Sequence, residues 1–362
     1  MPSIKNSIKT IKLKFIINSK KIERKGCISM KKVISMILIL SFMVFVFSGC
    51  ASNVNKTDGE TSAGTEKMKI KVAAPQGAPT LSMIKMFKDN PDFGENFELS
   101  YESVKSPDLM SSRIISGEID IAVVSTNLAA TLYNKGVDYK LAASSVWGAL
   151  YIVGNEKTED LEELRGKEIH TMGRGLTPDI VLRYILSGNG IDPEKDVTLT
   201  YVGEGTELAS AFISGKCALA VIPEPILSNV MLKKQNTLIL FDLQKEWIEL
   251  NKGNFGYPQA SLIIKNDIIE KNPQFVELFL KEYEKSINWL SENVQTAGEY
   301  SEELETGISK DAVVNGFERS NIKFVNSKDA KESVDDYLKI LYEYSPEVIG
   351  GKLPDEDFYL EK

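Results

Sequence analysis

The stretch Ile213–Pro225 reads "ISGKCALAVIPEP", and a near-copy, "ISGEIDIAVVSTN", runs from Ile115 to Asn127. Both contain Ile-Ser-Gly, then four residues, then Ala-Val-Val or Ala-Val-Ile. Ser-Gly suits the end of a helix, since glycine tolerates the left-handed backbone found there. The apolar run after it suits a strand buried on both faces of a parallel sheet. The tails differ: Ser125-Thr126-Asn127 in one copy, Pro223-Glu224-Pro225 in the other.

Working outward, each phrase closes a similar series. Before the first come "MKIKVAA" (68–74), an alternating strand, "APTLSMIKMFKD" (78–89), with Leu81, Ile84 and Phe87 at helical spacing, and the strand "NFELSYESV" (96–104). The helix "PDLMSSRIISGE" (107–118) follows, with Pro107 in its first turn and Gly117 at its end. Before the second come the strand "KEIHTM" (167–172), the helix "TPDIVLRYILSGNG" (177–190) with Thr177 as expected N-cap, and the strand "VTLTYVG" (197–203). The helix "TELASAFISGK" (206–216) ends at Gly215. Each series is β-α-β-α-β, which predicts parallel pairing and right-handed crossovers. Two such units in 362 residues match a prior of about two domains.

The expected organisation is a leader over 1–49, with Met30 the better start, and a flexible tether over 50–67. Lobe 1 is drawn from 68–154 plus 256–362, and lobe 2 from 155–255. "YKLAASSVWGALYIVGN" (139–155) is expected to complete lobe 1, and "YPQASLIIKNDIIEKNP" (257–273) to return to it as a strand. Residues 297–362 read as mostly helical and polar-faced, with Phe317, Phe324, Tyr337, Leu341 and Tyr344 as candidate buried positions. Two crossings between lobes make a hinge.

Charge and composition narrow the function. Residues 1–49 carry ten Lys or Arg and one acidic side chain, leaving 33 basic and 50 acidic groups beyond them, a net charge of −17. That balance, with no basic patch interleaved with aromatics, argues against nucleic acid. The chain has one His, His170, and three Cys, without CxxC or HExxH spacing, so neither zinc nor a Ser-His-Asp triad is expected. Cys217 lies in an apolar segment as a small hydrophobe. No GxxxxGK[ST] phosphate loop occurs. No cofactor is expected.

Lys31-Lys32, the apolar run Val33–Phe47 and Ser48-Gly49-Cys50 have the form of a secretory signal, the run falling short of the about 20 residues of a spanning helix. Cys50 after Ser-Gly resembles a bacterial lipobox, although Phe47 stands where Leu is usual. That resemblance implies cleavage before Cys50, lipid on its sulfur and an extracytoplasmic protein anchored to the outer face of the cell membrane.

The lipobox, "KIKVAAPQGAPT" (69–80), "SGEIDIAVV" (116–124), "LRGKEIHTMGRGLTPDIVLRYIL" (164–186) and "GKCALAVIPEP" (215–225), in this order, resemble the substrate-binding proteins of ABC importers. The group is the nitrate, sulfonate, taurine and thiamine-precursor type. The resemblance covers roughly residues 31–345. It implies the type II periplasmic-binding-protein fold, α/β with two Rossmann-like lobes, a small organic solute held between them, and a permease with its ATPase as partners of a monomer. A related branch synthesises a pyrimidine precursor with a histidine and a cysteine-rich iron motif. The chain lacks that motif, so the activity is not carried over. A ligand-sensing lipoprotein, or an enzyme on this fold, is the competing reading.

Open α/β sheets bind ligands beyond the carboxyl ends of their strands. That rule selects Gln76, Gly77 and Thr80 after the first strand and Ser125, Thr126 and Asn127 after the third. In lobe 2 it selects Arg174, Thr177, Glu204 and Glu224. Arg174 suits a carboxylate or sulfonate, and Glu224 an amine or ring N–H. Trp147 and Tyr257, near the crossings, are candidate walls. The solute is expected to be a sulfonate, an amino-acid-like molecule or a nitrogen heterocycle.

Overall fold

Val123, Leu262 and Ala143 stand side by side across one six-stranded sheet, and Val221 belongs to a second sheet of five strands. A computed structural model describes residues 67–105, 107–252 and 255–360 of the chain. The leader, Cys50 and the tether up to Glu66 lie outside the described residues.

The strands are β1 (Met68–Pro75), β2 (Phe97–Val104), β3 (Ile121–Ser125), β4 (Tyr139–Trp147), β5 (Leu150–Gly154), β6 (Glu168–Met172), β7 (Thr198–Val202), β8 (Leu219–Pro223), β9 (Leu238–Asp242), β10 (Pro258–Lys265) and β11 (Ile322–Asn326). Between them run α1 (Ala78–Ser82), α2 (Ile84–Asp89), α3 (Pro107–Ile115), α4 (Thr126–Asn134), α5 (Thr177–Gly188), α6 (Gly205–Ile213), α7 (Ile226–Lys233) and α8 (Leu243–Asn251). Then come α9 (Asn266–Lys271), α10 (Pro273–Glu292), α11 (Val294–Glu303), α12 (Lys310–Gly316) and α13 (Ser327–Tyr344). The first sheet has the order β11-β4-β10-β3-β1-β2, and the second β7-β6-β8-β5-β9.

The repeated phrase does the same physical work twice. Gly117 and Gly215 both take positive φ, at 73° and 76°. Each ends its helix with paired bonds: Gly117 N to Ile114 O and Glu118 N to Arg113 O, Gly215 N to Phe212 O and Lys216 N to Ala211 O. These bonds satisfy carbonyls the helix end would otherwise leave open. The strands that follow, β3 and β8, are buried along Ile121–Val124 and along all of Leu219–Pro223. Each fully buried Val, Leu or Ile contributes about 1.5–3 kcal/mol, so these runs anchor their sheets. Cys217 is buried among them, and burial pushes its thiol pKa up.

Several expectations are corrected. Parallel pairing holds for β1 with β2 and β3, and for β6 with β7 and β8. The strands after each crossing, β10 and β5, run antiparallel to their neighbours because the chain enters them from the opposite lobe. Leu150–Gly154 therefore belongs to the second sheet, not to lobe 1. The first sheet draws on residues 68–147 and 258–326, the second on 150–242. The helix expected over 78–89 is interrupted at Met83, whose N–H reaches back only to Thr80 O, a tight turn that splits it into α1 and α2. Residues 297–362 hold an edge strand, β11, whose half-exposed, short sequence hides its alternation. Of the expected buried positions there, Tyr337 and Leu341 are buried, Phe317 and Phe324 partly so, and Tyr344 is exposed.

The crossing at Trp147–Leu150 allows no side chain at its second residue. A Cβ on Gly148 would lie 2.3 Å from the Tyr257 ring and 2.4 Å from Gln244 Oε1. Gly148→Ala is expected to lower stability by about 1–3 kcal/mol through overpacking, read as an earlier urea midpoint at unchanged slope. An unchanged midpoint would contradict the packing described.

Candidate functional site

Strand register places the candidate loops. Ser125, at the carboxyl end of β3, pairs with Ala260, and Trp147, at the end of β4, pairs with Pro258. In the second sheet Pro223, at the carboxyl end of β8, pairs with Leu150. The carboxyl ends of β3 and β8 thus both converge on the two crossings. Bonds tie the crossings together: Gly148 N to Tyr257 O (3.0 Å), Ala149 N to Gln259 Oε1 (3.1 Å) and Glu224 N to Ala149 O (3.0 Å).

The lobe 2 loop after β6 is built for close approach. Gly173 and Gly175 take φ of 65° and 72°, values that favour glycine. Asp179, buried at 2% exposure, fixes the loop from below. Its carboxylate accepts from Gly175 N (2.7 Å), Arg183 Nε (2.7 Å) and the Tyr201 hydroxyl (2.8 Å). Arg174 stands exposed above this network, its guanidinium 5.3 Å over the Tyr201 ring. Of the five described arginines, Arg113, Arg165, Arg183 and Arg319 pair with carboxylates. Among the described residues no carboxylate pairs with Arg174. Thr177 is not the N-cap: Leu176 holds that position without a side-chain bond, and the Thr177 hydroxyl meets Tyr337 Oη at 3.1 Å.

In lobe 1 the candidates divide. Thr80 is fully buried, its hydroxyl donating to Pro75 O (2.8 Å) and lying 3.1 Å from Ser103 Oγ. Thr126 is equally buried against Ser261 Oγ (2.8 Å). Both hydroxyls are used inside the lobe, because short side chains at the base of a strand–helix turn reach the core first. Ser125 is exposed and makes no capping bond. Asn127 donates to Val348 O (3.2 Å). Gln76 donates to Glu305 O (3.4 Å) beside Gly307, and Gly77 holds a φ of 114°.

Glu224 departs furthest from its expected role as an acceptor for solute. It precedes a cis proline and is 5% exposed. Its carboxylate accepts from Arg319 Nε (2.5 Å), Ser228 Oγ (3.0 Å) and Ser228 N (3.0 Å). Burial pushes its pKa up, against the pull of Arg319 and Ser228. The group is internally satisfied. Glu204, by contrast, is exposed at the start of α6 without a capping bond.

Tyr257 is fully buried between Trp247 (5.1 Å) and Tyr337 (5.8 Å), and its hydroxyl has no partner among the described residues. Trp147 is 2% exposed and donates from Nε1 to Lys323 O. It lines a cavity of about 400 Å³ with Phe255 and Phe317, into which Asp242 and Gln244 also project. The two larger of the other cavities described lie away from the crossings. One of about 520 Å³ surrounds Tyr139 at the amino end of β4. One of about 510 Å³ is walled by Asn155, His170 and Cys217.

The C-terminal segment draws the scattered candidates into two groups. Gln76 meets residues 305–307, just before α12, and Glu224 meets Arg319, just after it. Thr177 meets Tyr337, on α13, and Asn127 meets Val348, just beyond it. Sequence reasoning missed Arg319, Ser228 and Gly148. Arg319 and Gly148 depend on partners distant in the chain, and Ser228, bonded to Glu224 four residues before it, gains its role only through Arg319.

The family model described as "NMT1/THI5 like" matches residues 95–297, more than half of the 362. The chain belongs to the NMT1/THI5-like family. A crystal structure of an ABC transporter from Parabacteroides distasonis is 28% identical, with a TM-score of 0.69, and the match covers 81% of this chain and 99% of that one. The periplasmic aliphatic sulphonate binding protein SsuA from Escherichia coli shares the fold at 14% identity and a TM-score of 0.61, over 81% of this chain and 94% of its own. YtlA of Bacillus subtilis (strain 168), whose name places it among binding proteins without a ligand, is 23% identical over 257 residues. That match spans 69% of this chain and 71% of YtlA. The fold is the type II periplasmic-binding-protein fold.

Proposed function

We propose that this member of the NMT1/THI5-like family is the solute-binding component of an ABC importer and that its solute is a small organic anion with a sulfonate-like head group. The observation that carries the head group is Arg174: an exposed guanidinium without a carboxylate partner, on a glycine-flanked loop at the carboxyl end of β6. A guanidinium offers a planar fork of donors matched to oxyanions. The 12-residue α5 begins three residues later with no capping side chain, and a helix N-terminus favours negative charge. Glu224, already engaged by Arg319, adds no competing demand for a cation. The sulphonate binding of the Escherichia coli neighbour agrees with this chemistry.

In this reading solute enters between the lobes near Ser125, Gln76 and Arg174, with Gly77, Asn127, Thr177 and Glu204 at the rim, while the buried Trp147 and Tyr257 brace the crossings behind it. Solute stabilises closure only by its difference in affinity between the open and closed states. The closed form is then read by a permease driven by a separate ATPase. The monomeric protein acts as a carrier, and the solute is returned unchanged. No helix among the described residues is long and apolar enough to cross a membrane. We place the protein outside the cytoplasm, held by lipid on Cys50.

Three experiments test this. Ethanesulfonate is expected to raise the melting temperature, since ligand at a hundredfold excess over Kd stabilises by about 2.7 kcal/mol; cytosine is expected to have no effect. Arg174→Ala is expected to weaken ethanesulfonate binding by roughly tenfold or more, with Arg174→Lys in between. Equal binding by all three proteins would remove Arg174 from the site. For the anchor, Cys50→Ala is expected to release the protein from washed membranes into the soluble fraction. Continued retention would contradict lipidation at Cys50.

A further inference from the structure

The chain passes between its lobes twice, at Trp147–Leu150 and between β9 and β10. A third connection exists without the backbone. Arg319 lies in a single 3-10 turn, Glu318–Ser320, between α12 and β11. β11 pairs with β4, and α12 joins the cluster of Leu81, Ile84 and Leu290, so this segment belongs to the first sheet's lobe. Its guanidinium nevertheless ends in the second lobe, on Glu224 Oε1 (2.5 Å) and Ser228 Oγ (2.9 Å).

The surroundings make this more than a surface ion pair. The Glu224 side chain is fully buried and that of Arg319 is 24% exposed. Tyr151, on β5 of the second sheet, donates its hydroxyl to Arg319 O (2.7 Å). Asn321, two residues on, donates to Gly148 O (2.5 Å), and its own carbonyl accepts from Trp147 N (3.0 Å). A Cβ on Gly316 would lie 2.3 Å from Ser228 Oγ, so α12 approaches α7 as closely as a glycine permits. Residues 316–321 therefore touch both lobes and the first crossing at once. The lobes cannot rotate about Gly148 without moving this segment relative to Glu224 or relative to β4.

We propose that Arg319, acting through Glu224 and Ser228, is a third, non-covalent crossing that sets how far the hinge opens and thereby tunes solute affinity without contacting solute. Arg319 is then a positioning residue. Its link to affinity rests on the reading of the chain as a hinged solute carrier; its link to the hinge does not.

Hydrogen–deuterium exchange on the full chain without ligand reads the hinge directly. The reporters are the amides of Trp147, Gly148 and Glu224, whose acceptors are Asn321, Tyr257 and Ala149. The amides of Val72 and Leu262, inside the first sheet, serve as controls. Arg319→Gln is expected to speed the reporters by roughly tenfold or more while the controls hold, because it leaves a buried carboxylate without its cation. The double variant Glu224→Gln/Arg319→Gln is expected to recover most of that change, and Arg319→Lys to fall between. Unchanged reporters, a uniform rise in reporters and controls, or additive effects in the double variant would each overturn the proposal. Should Arg319→Gln fail to fold, Arg319→Lys and the double variant carry the same comparison. In a second arm, ethanesulfonate affinity is expected to fall with the loosening of the hinge. An affinity unchanged by a loosened hinge would overturn the link to binding. A wild-type protein that ignores ethanesulfonate would sink the proposed solute and leave the hinge result standing.

Discussion

The ring of Tyr257 lies against Gly148, one crossing of the chain packed on the other. A Cβ at Gly148 would sit 2.3 Å from that ring. Around this contact the backbone ties itself from both sides, Gly148 N to Tyr257 O and Glu224 N to Ala149 O. Because β3, β4 and β8 all end here, the loops that follow β3 and β8 are brought to the same line between the sheets. The candidate site is a consequence of that convergence, with the lobes free to differ in what their loops present.

The candidate loops differ in charge as well as sequence: Gln76 and Ser125 are neutral, Arg174 and Glu204 charged. The part of the chain beyond residue 49 carries a net charge of −17, yet an anion is the proposed guest. The two facts are compatible because a cleft responds to the groups that line it, not to the sum over the surface. Four of the five described arginines are neutralised by carboxylates. Asp179 is drawn beneath the loop by Arg183 and Tyr201, which leaves Arg174 above it without an acidic partner.

Much of the fold was legible because it is local. Ser116-Gly117 and Ser214-Gly215 end helices, the apolar runs after them are the buried strands β3 and β8, and alternation marks β1 and β6. What escaped is set by distance along the chain. β11 is an edge strand only because β4 offers it a partner, and β5 joins the second sheet because β8 and β9 flank it. The site shows the same limit. The Gly-Arg-Gly loop could be read from residues 173–175 alone. That Glu224 is consumed by Arg319, 95 positions later, could not. Nor could the burial of the Thr80 and Thr126 hydroxyls be foreseen, since a threonine after a strand serves solvent, core or ligand according to a rotation the sequence does not encode.

The central claim is that an anion bridges the lobes where the strand ends converge. A crystal structure of the protein grown with ethanesulfonate tests it most directly. The expected result is a sulfonate group within hydrogen-bonding distance of the Arg174 guanidinium, with the rest of the molecule between the loops of Gln76 and Ser125. Sulfonate bound instead in the cavity of Tyr139 or that of His170, with Arg174 turned to solvent, would contradict it.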